Sequence, residues 1–156
     1  MKKTINNYAI VTIINTLNNP EGFWGSPEKR SKLKVYIPIR TAIKMNLQTL
    51  ESYAKNYTET YQEIVDELEK DYLEAGKAEK TDDKFVVIQG YVDEYNHEFS
   101  EKLSELLNQT FDIEFRTYTE EQLDRYAELN GELMNEMEMD VLSIFVEEPR
   151  EAEINE

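Results

Sequence analysis

The longest regular hydrophobic pattern lies between Pro38 and Gly76, and no proline or glycine interrupts it. Apolar positions in this span alternate steps of three and four residues, which is the heptad spacing of one helix face. We therefore predict a single helix over 38–75, with Pro38 in its first turn and Gly76 as its C-terminal stop. The predicted seam consists of Leu47, Leu50, Ala54, Tyr57, Tyr61, Ile64 and Leu68.

A second helical face follows over 91–109. Its apolar residues are Val92, Tyr95, Phe99, Leu103, Leu106 and Leu107. The helix over 38–75 would be about 55 Å long, which exceeds the diameter of a small domain, so part of it must pack on another long helix or project. We predict that 91–109 packs antiparallel against 38–75 as a long helical hairpin.

Shorter patterns predict the remaining elements. Helices are expected after Asn6 or Asn7, after Thr119 and after Asn135, where a capping residue precedes helically spaced apolar positions. Short β-strands are expected at 85–88 and 111–115, with a strand or extended lead-in at 33–37, and one small sheet is the simplest use for them. Residues 76–84 are polar and are predicted to be an exposed connection.

The predicted fold class is therefore mainly α with a small β-sheet (α+β), comprising the long helical hairpin, short strands and a C-terminal helix. At this length one domain is the default, and we assign it to residues 1–148. Residues 149–156 form an acidic tail, and we predict that this tail is disordered.

The charged residues are unevenly distributed along the chain. The net charge is −16, yet residues 1–50 carry eight basic and two acidic residues, so the remaining 106 residues carry −22. Such a surface repels nucleic acid and attracts a basic protein. The plainer reading is that acidic residues keep the protein soluble. No run of eighteen apolar residues is present, so no membrane span is expected.

Candidate chemistry is sparse. The chain has no cysteine and one histidine, and its five glycines form no phosphate-binding loop. Glu94 and His97 have the Glu-x-x-His spacing of di-iron bundles, but the second copy that such a site needs is impossible with one histidine. We expect no enzyme activity, no cofactor and no metal.

Two features are candidate partner-binding surfaces. Phe23 and Trp24, in a loop between glycines, could form an aromatic anchor for a partner; the alternative is that they fold back into the core. The distal seam residues Tyr57, Tyr61, Ile64 and Leu68 could bind a partner helix or a second copy of the chain, or could be ordinary core. The basic stretch 29–44 is a weak candidate for nucleic acid, because the acidic remainder opposes it.

Several segments together resemble a known family. These segments are 33–35 before the long helix, 95–98, 103–108 with its Glu-Leu-Leu-Asn sequence, 111–115 and 139–148. Over roughly residues 5–148 the chain is similar to a family of small phage proteins of unknown function from phages of Gram-positive bacteria. The Phe23–Trp24 loop looks longer than that family's usual connection. None of these motifs is catalytic, so the resemblance implies a viral origin and no active-site residue.

The function expected from the sequence is a non-catalytic phage protein that acts through protein–protein contacts. It would be a virion or assembly component, or a small factor that binds a host protein, and it would be located in the host cytoplasm or the virion. The alternative is an acidic inhibitor that mimics nucleic acid and occupies the DNA-binding groove of a host defence nuclease. That alternative requires exposed carboxylates with a regular spacing.

Overall fold

Six α-helices and four short strands make up the computed structural model, which describes residues 1–148; the tail predicted to be disordered, 149–156, lies outside the described residues. The mainly-α, α+β prediction is confirmed. The helices are α1 (Asn7–Leu17), α2 (Pro27–Lys32), α3 (Ile37–Glu74), α4 (Val92–Asn108), α5 (Glu120–Asn130) and α6 (Glu136–Ser143). The strands are β1 (Lys2–Asn6), β2 (Ala78–Thr81), β3 (Lys84–Val87) and β4 (Thr110–Glu114).

The 38-residue α3 is the longest element, with Pro38 in its first turn as predicted. It ends in a Schellman motif, in which the amides of Gly76 and Lys77 donate to the carbonyls of Leu73 and Tyr72, respectively. Gly76 has a φ of 72°, which a glycine adopts without steric cost. This residue therefore stops the helix, as the sequence predicts.

Helix α4 packs antiparallel on the distal half of α3. The rings of Tyr72 and Tyr95 lie 5.2 Å apart near the tip, and those of Tyr61 and Phe99 lie 5.8 Å apart further back. Both contacts are edge-to-face, a favourable arrangement for aromatic rings. We call residues 51–108 the arm; they comprise the distal half of α3, the β2–β3 hairpin and α4.

The prediction of one small sheet is wrong, because the strands form two separate antiparallel pairs. Strand β4 pairs with β1, from Lys2 opposite Glu114 to Asn6 opposite Thr110. Strand β2 lies in the stretch that was predicted to be an exposed connection, and it pairs with β3 at the tip of the arm. Residues 33–36 are extended but form no strand, so they are only a lead-in to α3.

A tight turn explains why a polar stretch can pair at the tip. The two residues between β2 and β3 are Asp82 and Asp83, with φ of 52° and 62°. Positive φ at both central residues is the signature of a type I′ turn, whose twist matches that of a β-hairpin. Aspartate tolerates this conformation better than most residues do, so the hairpin forms despite its few apolar side chains.

The main core lies where α1, the proximal half of α3, α5 and α6 meet β4. It is a single cluster of aliphatic and aromatic side chains, and Ile10, Ile39, Ile43, Leu50, Leu142 and Phe145 are among its fully buried members. A second and much smaller cluster, which we call the arm core, contains the buried residues Leu68, Tyr72 and Ala78. The long helix contributes to both clusters.

Buried polar side chains fix the connections around the main core. The amide of Asn46 both donates to the carbonyl and accepts from the N–H of Arg116, at 2.9 Å each. Asn130 pairs in the same two-bond manner with the backbone of Lys34, at 3.0 and 2.7 Å. Each side-chain amide takes the place of a missing strand partner, so irregular backbone is buried with its hydrogen bonds satisfied.

Candidate protein-binding site

The arm is strongly acidic. Its 58 residues include sixteen acidic and six basic side chains, a net charge of −10. On the outer face of α3 the exposed carboxylates of Glu59, Glu63, Glu67 and Asp71 follow one another at every fourth residue. Acidic side chains repeated along one surface raise the local concentration of cationic partners.

A cleft of about 580 Å³ opens between the two helices of the arm. Ile64 of α3 and Leu106 of α4 supply its apolar walls, and Lys102 and Glu105 stand at its edge. Thr60 lies one turn before Ile64 and fills little of the space between the helices. The remaining lining residues are Asn108 and Gln109, where α4 ends. This combination of apolar walls and a polar edge is the usual composition of a binding groove.

Aromatic side chains continue the apolar surface beyond the cleft. Tyr57 and Tyr61 have their ring centroids 6.2 Å apart, and Tyr61 contacts Phe99. Tyr57, Tyr61 and Ile64 follow the same face of α3 at steps of four and three residues. All three are half-buried, and partial burial is the main reason why the pKa of Tyr57 is raised, with the neighbouring Tyr61 contributing.

The structure therefore separates the four predicted residues of the distal seam. Ile64 lines the cleft, and Tyr57 and Tyr61 are partly open beside it. Leu68 is only 2% exposed and belongs to the arm core, where it contacts its own chain. The partner hypothesis thus retains three of these residues, while Leu68 fits the core alternative.

Phe23 and Trp24 are not an exposed anchor. Phe23 is fully buried and Trp24 is 7% exposed, and both belong to the main core, where the ring of Phe23 lies 6.4 Å from that of Tyr126. The alternative in which the loop folds back is what the structure shows. A partner could reach Phe23 only by displacing it, so the hypothesis of an aromatic anchor needs correction.

Specific contacts hold this loop in place. The buried carboxylate of Glu138 accepts hydrogen bonds from the N–H of Phe23 at 2.9 Å and from the N–H of Asn135 at 3.0 Å. A Cβ at Gly25 would lie 2.2 Å from the carbonyl oxygen of Asn19, so only glycine fits there. The glycines flanking the aromatic pair were therefore a signal of close packing and not of an extended, flexible loop.

Glu94 and His97 each pair with a different side chain. Glu94 forms an ion pair with Lys77 at 2.9 Å, and His97 lies 3.0 Å from Glu101 on the exposed face of α4. The Lys77 ammonium also lies over the rings of Tyr72 and Tyr91, and its hydrogen bond to Glu94 is the main cause of its raised pKa. Within residues 1–148, no three histidine or acidic side chains are grouped so that they could hold a metal ion.

The sequence did not predict that a cleft opens between the two helices. It assigned Ile64 and Leu106 to the facing sides of a helical hairpin, but a hydrophobic pattern does not show where two helices separate. The available signal was Thr60, a small polar residue beside an otherwise apolar seam, together with the end of α4 at Asn108.

None of the helices in the described part of the chain combines the length and apolar character needed to cross a bilayer. Comparisons with protein-family models, with curated proteins and with solved structures return no match.

Proposed function

We propose that the protein acts without catalysis, by binding another protein through the cleft and aromatic face of the arm. The observation that carries this proposal is the open apolar cleft at Ile64 and Leu106 within a segment of charge −10. The partner that fits is an amphipathic segment with apolar side chains on one face and lysine or arginine beside them. A second arm fits poorly, since two such segments repel each other at low salt.

The two parts of the surface play different roles in this proposal. Apolar side chains that enter the cleft contribute affinity, at roughly 25 cal/mol for each Å² of apolar surface that leaves water. The carboxylates around them contribute mainly to the association rate and to the choice of partner. Binding should therefore weaken with salt but persist in part, because the apolar contacts remain.

The biological setting follows from the resemblance to small phage proteins. On that basis we propose that the partner is a phage or host protein and that the protein is located in the host cytoplasm or the virion. A virion or assembly component would keep its partner through purification of particles. A factor that binds a host protein would be recovered with that protein from infected cells.

The first test uses a defined probe. A fluorescent helical peptide of about 20 residues, with leucines on one face and lysines on the other, is titrated with the protein and followed by anisotropy. We expect saturable binding that is reduced at least about tenfold by Thr60→Arg, because the larger side chain fills the cleft. Thr58→Arg is the matched control, since it adds the same charge on the opposite side of α3.

The outcome is decided by the two variants together. Equal loss of binding in both would show that only charge matters, and unchanged binding in Thr60→Arg would remove the cleft from the proposal. The same pair of variants then serves in affinity capture from infected cells, where a genuine partner is lost with Thr60→Arg and retained with Thr58→Arg. Light scattering on the protein alone reports self-association separately.

One observation favours the nucleic-acid mimic as a second candidate. The exposed carboxylates from Glu59 to Asp71 recur at every fourth residue, which is about 6 Å along a helix. Phosphates of one DNA strand recur at about 3.4 Å along the duplex axis, so the match covers at most every second phosphate. This mismatch places the mimic second.

The mimic is tested by competition with DNA. The protein is added to a basic endonuclease and duplex substrate at low salt, beside a variant with Glu59, Glu63 and Glu67 changed to Gln. Inhibition that this variant loses, and that Thr60→Arg keeps, would move the mimic ahead of the cleft. Absence of inhibition would remove it.

A further inference from the structure

A second and smaller cavity lies outside the arm, and most of its lining comes from the basic stretch before it. Its volume is about 210 Å³, and it lies between the lead-in to α3 and helix α5. Its polar and aromatic lining comprises Trp24, Arg30, Lys34, Tyr36, Arg40 and Tyr126. No acidic residue is among the residues that line it.

Three cationic side chains line this cavity. Within residues 1–148, Arg30, Lys34 and Arg40 form no ion pair, although the chain contains 33 acidic residues. Grouping three positive charges without a counterion is unfavourable in the free protein, and solubility does not require it. A bound anion would remove that repulsion.

Arg30 is held in a defined orientation. Its guanidinium carbon lies 4.0 Å from the ring centroid of Trp24, a close cation–π contact. Stacking on a buried ring restricts the side chain before any ligand arrives, so less conformational entropy is lost on binding. The guanidinium edge, with its fork of N–H donors, remains available to a planar or tetrahedral anion.

Tyr126 adds a hydroxyl group to the same cavity. Its side chain is 2% exposed, and its hydroxyl forms no hydrogen bond within the described residues. Burial raises its pKa to about 12, with nearby Arg30 acting in the opposite direction, so the hydroxyl keeps its proton at neutral pH. A protonated phenol beside three cations is a further donor to an anion.

The wall opposite α5 is also fixed. Asn130, at the end of α5, pairs with the N–H and the carbonyl of Lys34 at 2.7 and 3.0 Å. This contact sets the path of the backbone from Lys34 to Tyr36, the residue before α3. The cavity is therefore built from restrained elements and not from a mobile loop, which is the condition for a preorganised site.

We propose that this cavity binds the phosphate group of a small phosphate monoester. Two arginine forks, an ammonium and a phenol supply donors that match the three terminal oxygens and the double negative charge of such a group. At about 30 Å³ per water, the volume corresponds to roughly seven waters, enough for a phosphate and part of the molecule attached to it. It is too small for a nucleic-acid duplex.

The chain supplies its own reporter, because Trp24 is the only tryptophan and lines the cavity. Tryptophan fluorescence is followed during titration with inorganic phosphate and with adenosine monophosphate at constant ionic strength. The titration extends to about 10 mM, because we expect a Kd of about 1 mM and saturation needs roughly ten times that concentration. Adenosine and acetate are the matched ligands without a phosphate. We expect saturable changes with both phosphates and none with adenosine or acetate.

Variants locate the binding. Arg40→Gln should weaken phosphate binding about tenfold or more, whereas Lys44→Gln, which removes the same charge one turn further along α3, should leave it unchanged. Because fluorescence could be altered by the variants themselves, the rise in Tm with phosphate serves as a second readout. Arg30→Gln should abolish both responses.

Three results would overturn the proposal. The first is the absence of a saturable response to either phosphate, both in fluorescence and in Tm. The second is acetate binding as tightly as phosphate. The third is that Arg40→Gln and Lys44→Gln weaken phosphate binding equally. Tighter binding of the nucleotide than of inorganic phosphate would support the proposal and place the attached group within the cavity.

Discussion

The main core and the arm core are built on the same helix but are held together differently. Around the main core, buried amides and the Glu138 carboxylate fix irregular backbone at three separate places, Phe23, Lys34 and Arg116. The arm core has three fully or nearly buried residues and is completed by half-buried aromatic rings. Its best-placed polar contact, between Lys77 and Glu94, is partly exposed at the surface.

This difference indicates two levels of stability. The hydrogen bonds from these side chains to buried backbone are lost only when the surrounding core opens, so the region around the main core should unfold as a unit. The arm buries less apolar surface and depends on edge contacts between rings, so it should open locally at a lower free energy. The binding surface that we propose lies in this less stable region.

The largest effect is expected from Gly25→Ala. The new Cβ would lie 2.2 Å from the Asn19 carbonyl oxygen and 2.7 Å from the backbone of Asn18, so the loop that carries Phe23 and Trp24 must move. We expect a loss of about 3 kcal/mol or more in the free energy of unfolding, measured by chemical denaturation. Gly90→Ala, where a Cβ meets nothing within 4 Å, is the control in the arm.

A pair of leucine truncations in α3 tests the two levels directly. Leu68→Ala in the arm core should cost about 2–3 kcal/mol, and hydrogen exchange should show that this loss is confined to amides of the arm. Leu50→Ala makes the same change in the main core and should weaken protection throughout. If both variants lower protection equally everywhere, the chain unfolds as one unit and the comparison fails.

Alkaline pH should weaken the main core through its buried tyrosines. Burial raises the pKa of Tyr126 to about 12, whereas an unfolded tyrosine ionises near pH 10. The stability from this group is thus fully present below about pH 10 and is lost as the pH rises towards 12, by about 1.4 kcal/mol for each pH unit. Tyr126→Phe should reduce that dependence without removing it, because burial also raises the pKa of Tyr118 in the same core. Tyr8→Phe, at an exposed position, should leave it unchanged.

The smallest effect is expected at the tip of the arm. Asp83 has a φ of 62°, and replacing it with glycine gives the Asp-Gly sequence that type I′ turns favour. Asp83→Gly should stabilise the hairpin by about 0.5–1 kcal/mol, seen as slower hydrogen exchange in β2 and β3 with no change in the main core. Faster exchange in β3 would show that the aspartate side chain itself supports the turn.

Sequence patterns predicted the helices better than the pairing of strands. The spacing of apolar residues and the capping residues Thr119 and Asn135 report local structure, and both capping boxes form as expected. Which strands pair depends on contacts across more than a hundred residues, as for β1 with β4, and no local pattern contains that information. Strand β1 also has only one large apolar residue, Ile5.

The candidate site was predictable in part. The face containing Tyr57, Tyr61 and Ile64 follows from spacing alone, and the charge of the arm follows from counting. The burial of Phe23 and Trp24 does not, because it depends on the Glu138 carboxylate, 115 residues away in sequence from Phe23. The cavity proposed to bind phosphate brings Arg30 beside Tyr126 through tertiary contacts that neither segment shows by itself.

The pairing of β1 with β4 has a consequence for synthesis on the ribosome. The arm consists of contacts within one continuous segment, and its hairpin can form as soon as residues up to about 108 have emerged. Strand β1 has no partner until residues 110–114 follow, so its backbone stays unpaired while about three quarters of the chain is made. Helices α5 and α6 follow β4 in the chain, so they can complete the main core only after both strands of this pair have been synthesised.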